Sequence, residues 1–156
     1  MFDWISIGGR ALVSGSVASA VSTGALALIA RTEGRRAVQP LNATSHWIHG
    51  ERAGYTRKAD MRHTLTGYAT HHASAVLWAF VFETLRSARR KNDAVSIAGD
   101  AAAVSALAAV VDYGIIPRRL SPGWETVVSP RGVAGGFAAL ALGLALGGMA
   151  TRPAHA

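Results

Sequence analysis

Five ionisable residues lie inside stretches of the sequence that are otherwise apolar. Three are carboxylates and two are adjacent histidines: Glu83, Asp100, Asp112, His71 and His72. The interior of a bilayer tolerates such side chains only where they are paired or line a wet cavity. We therefore treat these five residues as a candidate intramembrane polar site. The sequence alone leaves open whether that site is catalytic.

The stretches that carry these residues flank a short basic turn at residues 87–93, and we expect them to form an antiparallel helical hairpin. Counting outward from the middle of the turn brings Glu83 level in depth with Asp100. The same count brings His71 level with Asp112. We predict that Asp112 lies within hydrogen-bond reach of a histidine on the first arm of the hairpin.

A histidine beside an aspartate in low dielectric has a fixed tautomer and a raised basicity, as in proton relays and behind metal ligands. A second histidine pair lies upstream at the i, i+3 spacing that puts both rings on one helical face. If its loop folds over the hairpin, a site for a metal ion or haem is predicted from His46, His49, His72 and Asp112. The alternatives are a site for a proton or small polar substrate, and hydrogen bonds that only hold helices together.

Glu83 and Asp100 lie nearer to the basic turn than the histidines do. We expect them to neutralise arginines of that turn, because a buried carboxylate needs a partner of opposite charge. The candidate partners are Arg86, Arg89 and Arg90.

Composition places the chain among membrane proteins. Half of the residues are hydrophobic, while 16 Lys and Arg and 9 Asp and Glu fall in blocks between long apolar stretches. Such blocks are typical of the loops of polytopic membrane proteins and not of a nucleic-acid-binding face, so we expect no nucleic-acid partner. The absence of cysteine excludes thiolate metal sites and cysteine nucleophiles. No HExxH, GxSxG or P-loop motif identifies a known catalyst.

Four apolar segments are long enough to cross about 30 Å of hydrocarbon at about 1.5 Å per residue. The predicted spans are residues 5–30, 64–86, 94–116 and 131–150. Ser129 is predicted to cap the last span, with Pro130 as its first helical residue. The first segment is interpreted as a span and not as a signal peptide, because it is long, rich in serine and preceded by Asp3. The expected fold is a single all-α domain over residues 1–156, an integral four-helix bundle in a lipid bilayer.

The connections are predicted to contain shorter helices. In the first loop a helix is expected over residues 41–50, opened by Asn42 and closed by Gly50. Before the last span, Pro122 and Trp124 predict a short helix at the membrane interface.

Small residues recur at four-residue spacing on the first and last spans, a pattern that lets helices approach closely. The residues concerned are Gly15, Ser19, Gly132, Gly136, Gly143 and Gly147. We expect them to make close helix contacts, either within one chain or across a homo-oligomer. A non-catalytic accessory subunit that docks into a larger membrane complex through these faces is the alternative to a polar-site protein.

A resemblance to a group of small bacterial polytopic inner-membrane proteins of uncharacterised activity is carried by three stretches, LNATSHWIHG, RHTLTGYATHHASAVLWAFVFE and VDYGIIPRRLSPGWE. It covers roughly residues 41–126. It implies a location in the bacterial inner (cytoplasmic) membrane and one site formed by the polar residues of the first loop and the hairpin. The residues that it places in shared motifs are Asn42, His46, His63, His72, Glu83, Asp112, Tyr113, Pro117, Arg119 and Glu125.

Overall fold

The computed structural model describes residues 3–89 and 92–152, and every regular element in those ranges is helical. The α-helices are α1 (Trp4–Thr32), α2 (Gln39–Thr44), α3 (His46–His49), α4 (Thr66–Ala88), α5 (Ala94–Val110) and α6 (Pro130–Ala150). Two π-helical turns, Met61–Leu65 and Val111–Ile115, precede α4 and extend α5. Three 3₁₀ turns lie in the loops at Glu51–Tyr55, Arg118–Leu120 and Trp124–Thr126. The predicted all-α class is therefore confirmed.

Local sequence sets the helix ends. The hydroxyl of Ser129 accepts a hydrogen bond of 3.1 Å from the amide of Gly132, and Pro130 is the first residue of α6, which confirms the predicted cap. Asp93 caps α5 in the same way, by accepting from the amide of Ser96 at 2.8 Å. Both caps satisfy amides that the first helical turn cannot pair internally.

Three of the described helices are long and apolar enough to cross a membrane: α1, α5 with its π-helical extension to Ile115, and α6. Their bounds agree with three of the four predicted spans to within two residues. Helix α4 is long enough as well, but His71, His72, Glu83 and Arg86 make it less apolar than the other three.

Helix α1 packs most extensively against α6, and glycine makes the close approach possible. A Cβ atom at Gly147 would lie 2.5 Å from the Cα of Ser14, and one at Gly143 would overlap the Cα of Ala18. Because residue numbers rise along α1 as they fall along α6, the two helices are antiparallel. Gly132 and Gly136 continue this contact towards the start of α6. These glycines therefore lie at a close contact between two helices of one chain.

Helix α1 also packs against α4, and α5 joins α6 to α4, so the four long helices of the described chain form a closed ring. A Cβ atom at Gly15 would lie 2.6 Å from the Cα of Val76 on α4. Ser19 is fully buried in the same face of α1. Both small residues therefore pack inside the molecule.

The first loop is folded against the start of α4. A Cβ atom at Gly67 would overlap the carbonyl of Leu41, so α2 lies directly on α4. The predicted helix is present as α2 and α3, and Gly50 ends α3 with a φ of 80°. Asn42, however, lies inside α2 and does not open it. Its fully buried amide instead donates to the carbonyls of Thr56 at 2.8 Å and Lys58 at 3.1 Å.

The connection between α5 and α6 differs from the prediction. It forms two single 3₁₀ turns and no α-helix, and Trp124 is buried instead of lying at an interface. The indole of Trp124 donates to the hydroxyl of Thr44 at 3.2 Å and packs against Phe137 with the ring centres 5.3 Å apart. Trp124 is therefore a core residue that joins the first loop to α6.

Candidate functional site

A cavity of about 290 Å³ lies where α4, the π-helical turn after α5, α6 and the connection before α6 meet. Most of its wall is apolar, and four aromatic side chains contribute to it: Trp47, Trp78, Trp124 and Phe137. Four polar residues also line it: Thr44, His71, Ser74 and Asp112. An apolar pocket with a few convergent polar groups is the usual form of a small-molecule site.

His71 reaches this cavity from α4 and is buried. Its Nε2 lies 2.9 Å from the hydroxyl of Ser22 on α1, and that hydroxyl donates to the carbonyl of Ala18 at 2.7 Å. The edge-to-face contact with Trp124, whose ring centre is 5.6 Å away, fixes the plane of the ring.

Asp112 reaches the same cavity from the π-helical turn Val111–Ile115. Single π-helical turns within α-helices are frequent at functional sites, because they turn a side chain out of the regular helical row. The structure brings Asp112 and His71 to one cavity, as their matched depth suggests. Within the described residues Asp112 makes no direct hydrogen bond to a histidine, so that predicted contact is wrong: His71 faces α1 and is bonded to Ser22.

His72 points away from this pair, because consecutive helical residues differ in direction by about 100°. Its ring stacks on Tyr68 with the centres 5.9 Å apart. Its Nδ1 is buried and has no hydrogen-bond partner in the part of the chain that the structure describes. His72 is therefore not part of the cavity.

The histidines of the first loop lie elsewhere again. His46 places its Nδ1 2.8 Å from the carbonyl of Ala43, and His49 packs edge-on against His63 with the ring centres 5.2 Å apart. Across residues 3–89 and 92–152, no three His, Asp or Glu side chains are close enough to hold a metal ion together. The predicted metal set of His46, His49, His72 and Asp112 is not assembled: His46 contacts the carbonyl of Ala43, His49 packs against His63, and His72 stacks on Tyr68.

Glu83 belongs to a separate polar cluster at the other end of α1 and α4. Its fully buried carboxylate accepts a hydrogen bond of 2.6 Å from the hydroxyl of Ser14. The guanidinium of Arg86 donates to both carboxylate oxygens, each at 2.8 Å. Arg10 lies 3.3 Å from the same group. Ser14 and Ser22 are eight residues apart on α1, or about 12 Å along the axis, so this cluster and the His71 cavity are distinct.

Asp100 also has an arginine partner at this end of the molecule. Its carboxylate lies 2.9 Å from the guanidinium of Arg89, which is half exposed. The expected neutralisation of both acids is thus observed with Arg86 and Arg89, while Arg90 lies outside the described residues. Glu83 and Asp100 do not share a partner, so they are not one site.

Sequence reasoning overlooked four residues that hold these sites together: Arg10, Ser14, Ser22 and Trp124. Ser14 and Ser22 lie in an apolar segment, where a buried hydroxyl needs a hydrogen-bond partner, and that need is the signal that could have identified them. Arg10 lies near the start of the same apolar segment, where a charged side chain likewise needs a partner. Trp124 was predicted at the membrane interface, and its burial depends on contacts with α2 and α6 that are distant in sequence.

The fold and these sites define the class of the protein: it is an all-helical protein whose described part contains three helices able to span a membrane. Comparison with family models, with curated proteins and with solved structures gives no match to the chain.

Proposed function

We propose that the protein is a four-span bacterial inner-membrane protein that binds a small molecule in the cavity between His71 and Asp112. The observation that carries this proposal is the cavity itself, an apolar chamber of about 290 Å³ with one imidazole and one carboxylate on its walls. Binding pockets for small molecules commonly measure about 300–1,000 Å³. The ligand is therefore small.

The walls indicate the chemistry of the ligand. Aromatic and aliphatic side chains make up most of the lining, which favours an apolar body. Asp112 has no hydrogen-bond partner among the described residues, and an ionised carboxylate only accepts hydrogen bonds. We therefore propose a ligand with an apolar body and a single donor group, such as an amine or alcohol, that is held or passed through the membrane.

Helix α4 is proposed as the fourth span. Its polar side chains are matched from within the molecule: Glu83 by Arg86 and Ser14, and His71 by Ser22. A bilayer tolerates polar residues that face the protein interior in this way. The low hydropathy of α4 then reflects buried pairs and not contact with water.

The alternative of an accessory subunit loses the observation on which it was based. Gly15, Gly143 and Gly147 are covered by other helices of the same chain and cannot present a docking face. Metal or haem binding has likewise lost its proposed ligand set. The cavity is the feature that still requires an occupant.

The test uses three probes of one shape: 4-bromobenzylamine, 4-bromobenzyl alcohol and 4-bromobenzoate. Three tryptophans, Trp47, Trp78 and Trp124, line the cavity, so bromine bound there quenches their fluorescence. The amine and alcohol should bind about tenfold or more tightly than the benzoate, since a carboxylate meeting Asp112 loses at least one charged hydrogen bond. Asp112→Asn should remove this preference.

Two variants of α4 serve as controls for probes that quench fluorescence only because they dissolve in the detergent. Ser74→Phe fills the cavity and should abolish saturable quenching, whereas Ala73→Phe places the same ring on the exposed side and should not. Equal quenching in both variants would show that the probes bind outside the cavity and would refute the proposal.

A further inference from the structure

A second, separate pocket lies beyond the end of α1 and is lined by four arginines. It measures about 520 Å³ and is open to solvent. The arginines are Arg31, Arg35, Arg36 and Arg57, and the remaining lining residues are small or apolar. Among the residues that the structure describes, no acidic side chain lines it.

The backbone brings three of these arginines together. Helix α1 ends at Thr32, and Gly34 then adopts a φ of 74°, which reverses the chain. The amide of Arg35 donates back to the carbonyl of Ala30 at 2.8 Å. Arg35 and Arg36 are therefore returned towards Arg31.

Arg57 arrives from the far end of the first loop and is held by a buried side chain. The amide of Asn42 donates to the carbonyls of both its neighbours, Thr56 at 2.8 Å and Lys58 at 3.1 Å. Asn42 is fully buried, and its oxygen accepts from Thr64 at 2.7 Å. The backbone on both sides of Arg57 is thus held by the fold, and its side chain is exposed at the pocket.

Glu33, the carboxylate two residues before Arg35, is engaged elsewhere. Glu33 accepts from the amide and the hydroxyl of Ser129, each at 2.7 Å, and these hydrogen bonds lower its pKa, with a smaller contribution from Arg35. None of the four arginines of the pocket forms an ion pair within the described ranges of the chain. Four guanidinium groups held around one opening repel one another unless an anion lies between them.

We propose that this four-arginine pocket binds a phosphate group. Guanidinium groups match phosphate in charge and geometry, since each can donate two parallel hydrogen bonds. The pocket begins at the last turn of a membrane-spanning candidate, the level at which lipid phosphates lie. Its volume accommodates a phosphorylated headgroup as well as the free ion. The inference does not depend on the His71 cavity.

The test measures binding to the full-length protein in a neutral detergent by native mass spectrometry. The probes are dihexanoyl phosphatidylglycerol, dihexanoyl phosphatidylcholine and inorganic phosphate. The pocket variant is Arg35→Gln with Arg57→Gln. Its matched control is Arg118→Gln with Arg119→Gln, which removes the same charge from exposed residues outside the pocket.

We expect phosphatidylglycerol to bind the wild type and the control alike, and the pocket variant about tenfold or more weakly, because charged hydrogen bonds are lost. If the pocket variant weakens the binding of inorganic phosphate but not of phosphatidylglycerol, the pocket is still a phosphate site, and its ligand is the free anion and not a lipid. Equal weakening in the pocket variant and the control, or equal binding of phosphatidylcholine and phosphatidylglycerol in all three proteins, would overturn the proposal.

Discussion

Ser14 of α1 donates a hydrogen bond of 2.6 Å to the fully buried carboxylate of Glu83 on α4. The same carboxylate neutralises Arg86, which is itself 3% exposed. The carboxylate of Glu83 thus pairs with a hydroxyl on α1 and with a buried guanidinium on α4, its own helix. The junction of α1 with α4 depends on this charge being present.

The first prediction compares the two acids at this end of the molecule. Glu83→Gln should destabilise the fold by about 3–5 kcal/mol, because it leaves the buried guanidinium of Arg86 without a counter-charge. Asp100→Asn should cost about 1 kcal/mol or less, because its partner Arg89 is half exposed and remains solvated. Thermal and denaturant unfolding in detergent measure both. Equal losses in the two variants would argue against the buried pair.

The second prediction concerns the contact of α1 with α6. Gly143→Ala should destabilise the protein by about 1–3 kcal/mol, because the added Cβ overlaps the backbone of Ala18. Gly99→Ala on α5 is the matched control: no neighbouring atom of the described residues lies within 4 Å of its Cβ position, and alanine favours a helix by about 1 kcal/mol. We therefore expect Gly143→Ala to lower the unfolding midpoint and Gly99→Ala to raise it. A stabilised Gly143→Ala would mean that the helices do not approach as described.

The third prediction concerns the first loop. Asn42→Ala removes the amide that holds the backbone on both sides of Arg57, so trypsin should cleave after Arg57 and Lys58 faster than in the wild type. Thr84→Ala serves as control, because its hydroxyl bonds only within α4. Rapid amide exchange across residues 44–49 in the wild type would contradict an ordered loop.

The fourth prediction follows from the link between Glu33 and Ser129. Their hydrogen bonds lower the pKa of Glu33 below its ordinary value. Their stabilising effect is therefore present above the pKa that Glu33 has in the unfolded chain. It is lost as pH falls through the folded pKa. The difference in melting temperature between wild type and Glu33→Gln should therefore shrink from about pH 6 to about pH 3. A difference that does not change with pH would exclude this linkage.

The fifth prediction tests the number of spans, and the absence of cysteine makes it direct. Single cysteines at Lys58, Ala88 and Arg119 are all placed at exposed positions. If α4 crosses the membrane, an impermeant maleimide should label the first and third from one side and the second from the other. Labelling of Lys58 and Ala88 from the same side would show that α4 does not cross.

The sequence predicted those features that depend on local patterns. The start of α6 followed from Ser129 and Pro130. The spacing of Gly143 and Gly147 predicted close helix contacts without saying which helix is the partner, and in the structure that partner is α1. Counting residues outward from the turn placed Asp112 at the depth of His71, and both line one cavity. Depth along a hairpin follows from the number of residues between each position and the turn.

Counting residues from the turn does not predict in which direction around the helix axis a side chain points. That direction decides that His71 meets Ser22 and not Asp112, and that His72 points away from both. Trp124 was misplaced for a related reason, since its burial requires α2 and α6 to be in position first. Packing between distant segments sets these contacts, and no local pattern encodes them.

The most direct measurement of the central claim is the protection of a single cysteine in the cavity. In the cysteine-free chain, Ser74→Cys places one thiol on the cavity wall, and Ala73→Cys places one on the exposed side of the same helix. Methyl methanethiosulfonate should modify both, and saturating 4-bromobenzyl alcohol should slow the reaction at position 74 about tenfold or more while leaving position 73 unchanged. Equal rates at position 74 with and without the alcohol would contradict a small-molecule site in this cavity.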